Sequence, residues 1–248
     1  MAIDFYKMLD DFNDALFPGL SCACCGEELI DNSCGLCDIC KQGLNLHNNN
    51  CCQKCGEPLD HPRDICPACA NANYEFKRAI SCCEYNELSG KLIKDLKYNG
   101  KKYIAKIIAN FLAEKYKECG FCADYITFVP SGKSTLKERG YNQGKLICDE
   151  FSLLTNVPVL ETLERVKETE RQATLSGEER RKNIIGAFAP VKEAKVYEKN
   201  VLLVDDVFST GTTLSESVKA LKKLKPKNVL CLTFAKVHFL KELTKKNV

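Results

Sequence analysis

Four Cys-x-x-Cys pairs, Cys22 with Cys25, Cys37 with Cys40, Cys52 with Cys55 and Cys66 with Cys69, recur with 10 to 11 residues between successive pairs. A pair with this spacing forms a tight knuckle that sets two thiolates on one side, and two knuckles complete a tetrahedral four-thiolate zinc site. Gly26 and Gly56 each follow the second cysteine of a knuckle, where the turn needs an unhindered backbone. The segment holds few large apolar residues, so metal has to replace the missing core. The eight cysteines predict two structural Zn²⁺ ions. The simplest pairing joins the first knuckle to the second and the third to the fourth; spacing alone leaves an interleaved arrangement open. A thioredoxin-like redox use would need one knuckle on a βαβ unit, not four in a loop-rich stretch.

Of the seventeen cysteines, eleven lie between Cys22 and Cys69. Cys24, Cys34 and Cys51 sit beside the knuckles as alternative ligands, and Cys34-x-x-Cys37 is a competing pair. His47 and His61 could also ligate, but eight cysteines already fill two sites, so both are expected in solvent-exposed loops. Cys119-x-x-Cys122 could join Cys82 and Cys83 in a third site; isolated small hydrophobes are the simpler expectation there. Met1 to Leu20 carries Asp4, Asp10, Asp11 and Asp14 among apolar residues at helical spacing. It lacks the basic start and unbroken apolar run of a signal peptide. No apolar stretch approaches membrane-spanning length. The expectation is a cytoplasmic protein with no membrane insertion, whose thiols bind metal instead of forming disulfides. A net charge of +3 gives no global nucleic-acid signature.

The second strong signal is Val201 to Thr213, Val-Leu-Leu-Val-Asp-Asp-Val-Phe-Ser-Thr-Gly-Thr-Thr. Four uninterrupted apolar residues predict a strand buried on both faces, as in a parallel sheet. Asp205 and Asp206 are expected past its carboxyl end, solvated, followed by a turn from Ser209 through Thr210, Gly211, Thr212 and Thr213. Leu214, Val218 and Leu221 then mark one face of a helix. Strand, small hydroxyl-rich turn and helix amino terminus make a phosphate cradle. The adjacent carboxylates suit a polyhydroxyl group. An ordinary strand-to-helix connection capped by Thr212 or Thr213 would explain the threonines but not the acid pair.

The rest of the chain supports an α/β domain. Residues 1–20 read as an amphipathic helix, 21–73 as the zinc module and 74–248 as the α/β domain, with a helical pattern from residue 74 and a helical segment at 86–118. Lys91, Lys94, Lys97, Lys101, Lys102 and Lys106 stud that segment. Such a run is usually a solvated face. It could also track single-stranded DNA within 91–106, with Tyr98 and Tyr103 stacking on bases. Tyr125 to Val129 reads as a strand delivering Pro130-Ser131-Gly132-Lys133, and Pro158 opens another strand to about Val166. Polar residues 167–183 are long for a plain connection and predict a mobile functional loop. Strands alternating with helices imply a parallel sheet.

The 201–213 stretch resembles the 5-phosphoribosyl-1-pyrophosphate (PRPP) motif of type I phosphoribosyltransferases. With Leu16-Phe17-Pro18, the knuckles, Leu96-Lys97-Tyr98-x-Gly100, Arg139-Gly140-Tyr141-Asn142-Gln143, Leu163-x-Arg165-x-Lys167-x-Thr169, Gln172-x-x-Leu175, Arg180-x-x-Asn183 and Gly186-x-Phe188, the chain resembles the ComF competence family over nearly its whole length. The resemblance implies a type I phosphoribosyltransferase-like domain behind a double zinc ribbon. It also implies that Asp205 and Asp206 hold the ribose hydroxyls and that Ser209 to Thr213 wrap the 5-phosphate. Pro130-Ser131-Gly132-Lys133 would then form the pyrophosphate loop, edged by Arg139 and Gln143, with 167–183 as a hood. Lys133, Arg139, Arg171 and Arg180 would supply catalytic charge, with Mg²⁺ accompanying PRPP. One departure is Ser131-Gly132, where the family often has a second proline and an apolar residue. Three functions follow: a phosphoribosyltransferase of unspecified acceptor, a PRPP-regulated single-stranded-DNA-binding competence protein working with other competence proteins, or a zinc-ribbon adaptor with a vestigial site.

Overall fold

Val201, Leu202, Leu203 and Val204 are all fully buried, which an unbroken apolar run achieves only between two covered faces. They lie in the middle of a four-stranded sheet in a computed structural model that describes residues 21–29, 34–48, 50–59, 64–167 and 183–238. The sheet comprises β1 (Arg78–Glu84), β2 (Tyr125–Phe128), β5 (Asn200–Phe208) and β6 (Asn228–Lys236), in the order β1-β6-β5-β2. Every pairing is parallel. A separate antiparallel pair joins β3 (Leu163–Arg165) to β4 (Phe188–Pro190).

Small helices α1 (Asp38–Gly43) and α2 (Pro67–Ala70) belong to the cysteine-rich module. The larger ones are α3 (Glu87–Tyr98), α4 (Ile104–Cys119), α5 (Lys133–Arg139), α6 (Gln143–Thr155) and α7 (Thr212–Leu221). Leu92, Leu96, Ile108, Leu112, Ile147 and Phe151 pack with Leu202, Val204 and Leu232. On the opposite side, Leu214, Val218 and Leu221 pack with Leu203, Cys231 and the ligand cysteines Cys52, Cys55, Cys66 and Cys69. The second ribbon therefore covers one face of the sheet where a helix would otherwise be needed.

Two elements depart from the sequence expectations. The pattern from residue 74 reads as helical, yet Arg78–Glu84 is a strand beside β6. Its Ala-Ile-Ser-Cys-Cys centre is buried on both sides, so no alternation marks it; the Ser81 hydroxyl is satisfied by Thr233 at 2.7 Å. The expected strand from Pro158 to Val166 is split. Val159 makes a single bridge to Ile126, and Leu163–Arg165 turns away to pair with β4. The helix expected over 1–20, His61, Arg171, Arg180 and residues 168–182 of the polar loop lie outside the described residues. Among the described residues, no helix is long and apolar enough to cross a membrane.

Candidate functional site

Parallel strands deliver their carboxyl ends, and the loops that follow them, to one edge of a sheet, where α/β proteins place ligands. Phe128 of β2 is in register with Val204 of β5. The loop Pro130-Ser131-Gly132 therefore leaves the sheet beside Asp205 and Asp206. Gly132 precedes α5, so Lys133 stands on its first turn, with an exposed side chain. Ser131 Oγ donates to Gln143 Oε1 at 3.3 Å, and the Arg139 guanidinium donates to the same oxygen. The sequence-predicted residues Ser131, Gly132, Lys133, Arg139 and Gln143 thus share one loop and the two helices behind it.

The acids differ from expectation. Strand β5 continues through both of them to Phe208, and Asp206 is only 5% exposed. Strand geometry turns adjacent side chains to opposite faces, so the two carboxylates have different surroundings. Asp205 is half-buried, and its Oδ1 accepts from the Asp206 N–H at 2.9 Å. Burial, and then the charge on Asp206, hold the Asp205 carboxyl well above the usual carboxylate range. Burial also opposes charge on Asp206, but the ammonium of Lys97 outweighs it and keeps that carboxyl below its ordinary value.

Lys97 is the contact that sequence reasoning placed elsewhere. The lysine run treats it as part of a solvated face, whereas its Nζ forms an ion pair with Asp206 and its side chain is 21% exposed. It belongs to the last turn of α3. The Tyr141 hydroxyl donates to the Leu96 carbonyl, tying that turn to the α5–α6 corner. Next to it, the Arg139 guanidinium lies 5.4 Å from the Tyr98 ring centre. Lys91, Lys94, Lys102 and Lys106 are exposed.

The phosphate-type turn has no side-chain cap at its helix. Its N-cap is Gly211, in the left-handed region at φ 74°, so the Thr212 or Thr213 cap of an ordinary connection is not what forms. The Thr210 and Thr212 hydroxyls bond each other at 3.0 Å. A Cβ on Gly211 would lie 2.8 Å from both the Phe208 and Tyr74 rings. Tyr74 comes from the segment after the last knuckle and was invisible in the sequence, where no pattern links it to the turn.

Each of the two cysteine sets, Cys22-Cys25-Cys37-Cys40 and Cys52-Cys55-Cys66-Cys69, has its sulfurs within 4.8 Å of one another. A tetrahedral site with Zn–S bonds of about 2.3 Å needs sulfurs about 3.8 Å apart. Cys25 and Cys37 Sγ are 3.7 Å apart, as are Cys55 and Cys66. The Cys66 N–H also donates to Cys52 Sγ at 3.2 Å, a contact that suits a thiolate. Both sets fit zinc, paired as first with second and third with fourth. Cys24, Cys34 and Cys51 fall outside them; the Cys34 and Cys51 thiols turn to the Leu36 and Asn48 carbonyls. Cys82 and Cys83 are buried, and burial pushes both thiols up, which suits small hydrophobes. They form no third set among the described residues.

His47 is not the exposed loop residue expected. It is buried against the His238 ring at 5.8 Å between centres, and burial lowers its pKa to about 4. Nearby, Glu57 of the second ribbon takes both Lys236 Nζ at 3.2 Å and His238 Nδ1 at 2.8 Å. The polar residues that flank a metal knuckle are thus used to dock it.

A phosphoribosyl transferase domain model matches residues 155–247, and a double zinc ribbon domain model matches residues 12–83. DNA utilization protein YhgH of Salmonella typhi is 29% identical over 210 residues, covering 82% of this chain and 91% of that protein. Competence protein F of Haemophilus influenzae is 29% identical over 215 residues, covering 84% and 93%. An adenine phosphoribosyl transferase from Trypanosoma brucei is 16% identical at a TM-score of 0.40, covering 72% of this chain and 65% of its own.

Proposed function

We propose that this chain, matched by a double zinc ribbon model and a phosphoribosyl transferase domain model and similar to competence protein F and DNA utilization protein YhgH, binds PRPP and transfers its phosphoribosyl group with release of pyrophosphate. The observation that carries this reading is the register of β2 against β5, which sets the Ser131–Gly132 loop beside an acid pair that runs directly into the Gly211 turn. Three adjacent surfaces then match the three parts of one ligand. The turn 209–213 and the start of α7 offer N–H and hydroxyl donors to the 5-phosphate. Asp205 and Asp206 accept from the ribose hydroxyls. The open backbone at Ser131 and Gly132 takes the pyrophosphate, with Lys133 and Arg139 as cations.

Departure of pyrophosphate leaves an oxocarbenium-like sugar, so catalysis depends on neutralising the leaving group more than on a protein nucleophile. Arg139 is placed for this by Gln143, and Arg171 and Arg180 would add charge from the 167–183 loop. Magnesium, when bound, supplies further neutralisation, and Asp205, the more accessible of the two acids, is a suitable hard oxygen ligand for it. Following PRPP and pyrophosphate by phosphorus NMR, with magnesium and a panel of nucleobases, ammonia or DNA, tests the reading. Pyrophosphate accumulating faster with one acceptor than without any is the expected result. Protein that neither binds PRPP in calorimetry nor consumes it would overturn the proposal.

A second reading rests on Tyr98, 61% exposed, amid the exposed lysines 91, 94, 102 and 106. These could hold single-stranded DNA by stacking and phosphate contacts, with PRPP occupancy as a switch.

A further inference from the structure

Two adjacent carboxylates at the edge of an apolar sheet need a counter-charge, because like charges repel strongly where water is excluded. The charged groups that face Asp206 are Asp205 from its own strand, Lys97 from α3 and, through its field, Arg139. Lys97 is the cation in contact with its carboxylate. We infer that Lys97 is a positioning residue of the proposed PRPP site: its ammonium keeps Asp206 ionised and fixed, and offsets the acid pair so that a polyanionic sugar phosphate is accepted with less dependence on divalent cations. This inference rests on the PRPP reading above.

The helix that carries Lys97 is held at both ends. At its start, Asn86 Oδ1 accepts from the Leu88 and Ser89 N–H groups while Ser89 Oγ accepts from the Asn86 N–H. This reciprocal cap fixes the entry of the chain from β1. Leu92 and Leu96 anchor the buried face. At its end, the Asn99 side chain donates to Asp95 at 2.7 Å, and Gly100 at φ 70° turns the chain away. Tyr141 holds the Leu96 carbonyl from outside. The backbone of Lys97 is therefore immobilised independently of its ion pair.

A lysine suits the task. Its ammonium carries three donors, and Asp206 takes one contact. Its side chain as a whole is one-fifth exposed. Burial works against the charge on Lys97, but the Asp206 carboxylate reverses the balance and holds its pKa above the ordinary lysine value. Burial and the neighbouring charge disfavour ionisation of Asp205, so the charge that needs a partner is that of Asp206, which Lys97 meets. In the absence of Lys97, magnesium would have to supply that positive charge.

The test compares wild type, Lys97→Met and Lys97→Arg as zinc-loaded full chains, titrating PRPP by calorimetry over a magnesium series, with thermal melts to check the fold. Lys97→Met should lose affinity by about tenfold or more at limiting magnesium, with the gap narrowing as magnesium rises. Lys97→Arg should recover most of the loss. Lys97→Met with wild-type affinity and magnesium dependence overturns the inference, as does a loss that is equal at all magnesium levels and unrelieved by arginine. Should methionine prevent folding, Lys97→Gln takes its place. Failure of wild type to bind PRPP would instead defeat the proposed function. In that case carbon NMR titration of the Asp206 carboxyl still decides for Lys97: a midpoint that rises in Lys97→Met supports the ionising role, and one that does not move overturns it.

Discussion

The Tyr74 hydroxyl donates to the Thr210 carbonyl at 3.1 Å, so a residue that follows the zinc module holds the middle of the phosphate-type turn. Its ring stacks on Phe76 with centres 4.7 Å apart and meets Phe208 edge-on at 6.3 Å. Tyr74→Phe keeps both ring contacts and removes the hydrogen bond to Thr210. It should cost about 1 kcal/mol of stability and weaken PRPP binding several-fold, as calorimetry on the variant would read. Unchanged affinity would mean that the turn keeps its shape without the tyrosine.

Gly211 gives a sharper outcome, because its left-handed backbone and its approach to the Tyr74 and Phe208 rings both exclude a side chain. The conformation alone costs roughly 1–2 kcal/mol for an L residue. Gly211→Ala should lower the melting temperature and abolish PRPP binding. A variant with wild-type melting and affinity would show that the turn can be rebuilt around a methyl group.

The two acids should respond in opposite directions. Asp205 has a raised pKa in the folded state, so its contribution to stability is fully present below the pKa of an unfolded aspartate and is lost as pH rises from there through the folded value. Asp205→Asn keeps the neutral form and should be neutral or stabilising, increasingly so in alkaline buffer. Asp206 has a lowered pKa, so its contribution is present at neutral pH and lost as pH falls through the folded value. Asp206→Asn leaves Lys97 without its counter-charge and should cost about 1–2 kcal/mol, less than a fully buried pair because Lys97 is partly exposed. Both variants should lose PRPP affinity. Melting curves of the single variants across pH check the asymmetry.

Zinc removal should act beyond the ribbon. The second cysteine set packs on Leu203 and Leu214, and Lys54 between its knuckle cysteines donates to the Ala72 carbonyl on the way to Tyr74. Metal analysis of reduced protein should find two zinc ions per chain. Stripping them with a chelator should lower the melting temperature and PRPP affinity together. Full affinity in metal-free protein would show that Tyr74 is held without the ribbon.

Single-stranded DNA, if bound at the α3–α4 turn, should dissociate steeply with salt, the log–log slope counting the phosphates contacted. Alanine at Lys94, Lys102 and Lys106 should flatten that slope without affecting PRPP. An unchanged slope in gel-shift or anisotropy titrations would place DNA binding elsewhere or exclude it.

Cysteine spacing was enough to pick out the eight ligands, because a knuckle is a local turn whose geometry depends on neighbours in sequence; which knuckle joins which was decided by the fold, where the sulfurs of each set lie within 4.8 Å of one another. The β5 strand, the turn and α7 were legible for the same reason: apolar run, small residues and helical period lie within one contiguous stretch. β1 was missed because a strand buried on both faces carries no alternation, and its short Ala-Ile-Ser-Cys-Cys core looks neutral to either period. The extent of β5 was also underread, since charge at Asp205 and Asp206 suggested the strand had ended, whereas ladder bonds to β6 continue to Phe208.

What the sequence by itself determined was therefore chemistry that depends on adjacent residues: two four-thiolate sites, an acid pair and a phosphate-type turn. Only the tertiary structure decided which distant side chains complete them. Lys97 and Asp206 are 109 positions apart, and Tyr74 and Thr210 are 136 apart. A lysine on a helix has the same local pattern whether it faces water or a carboxylate. Its partner is set by sheet order and helix packing, which emerge only when the whole chain closes on its core.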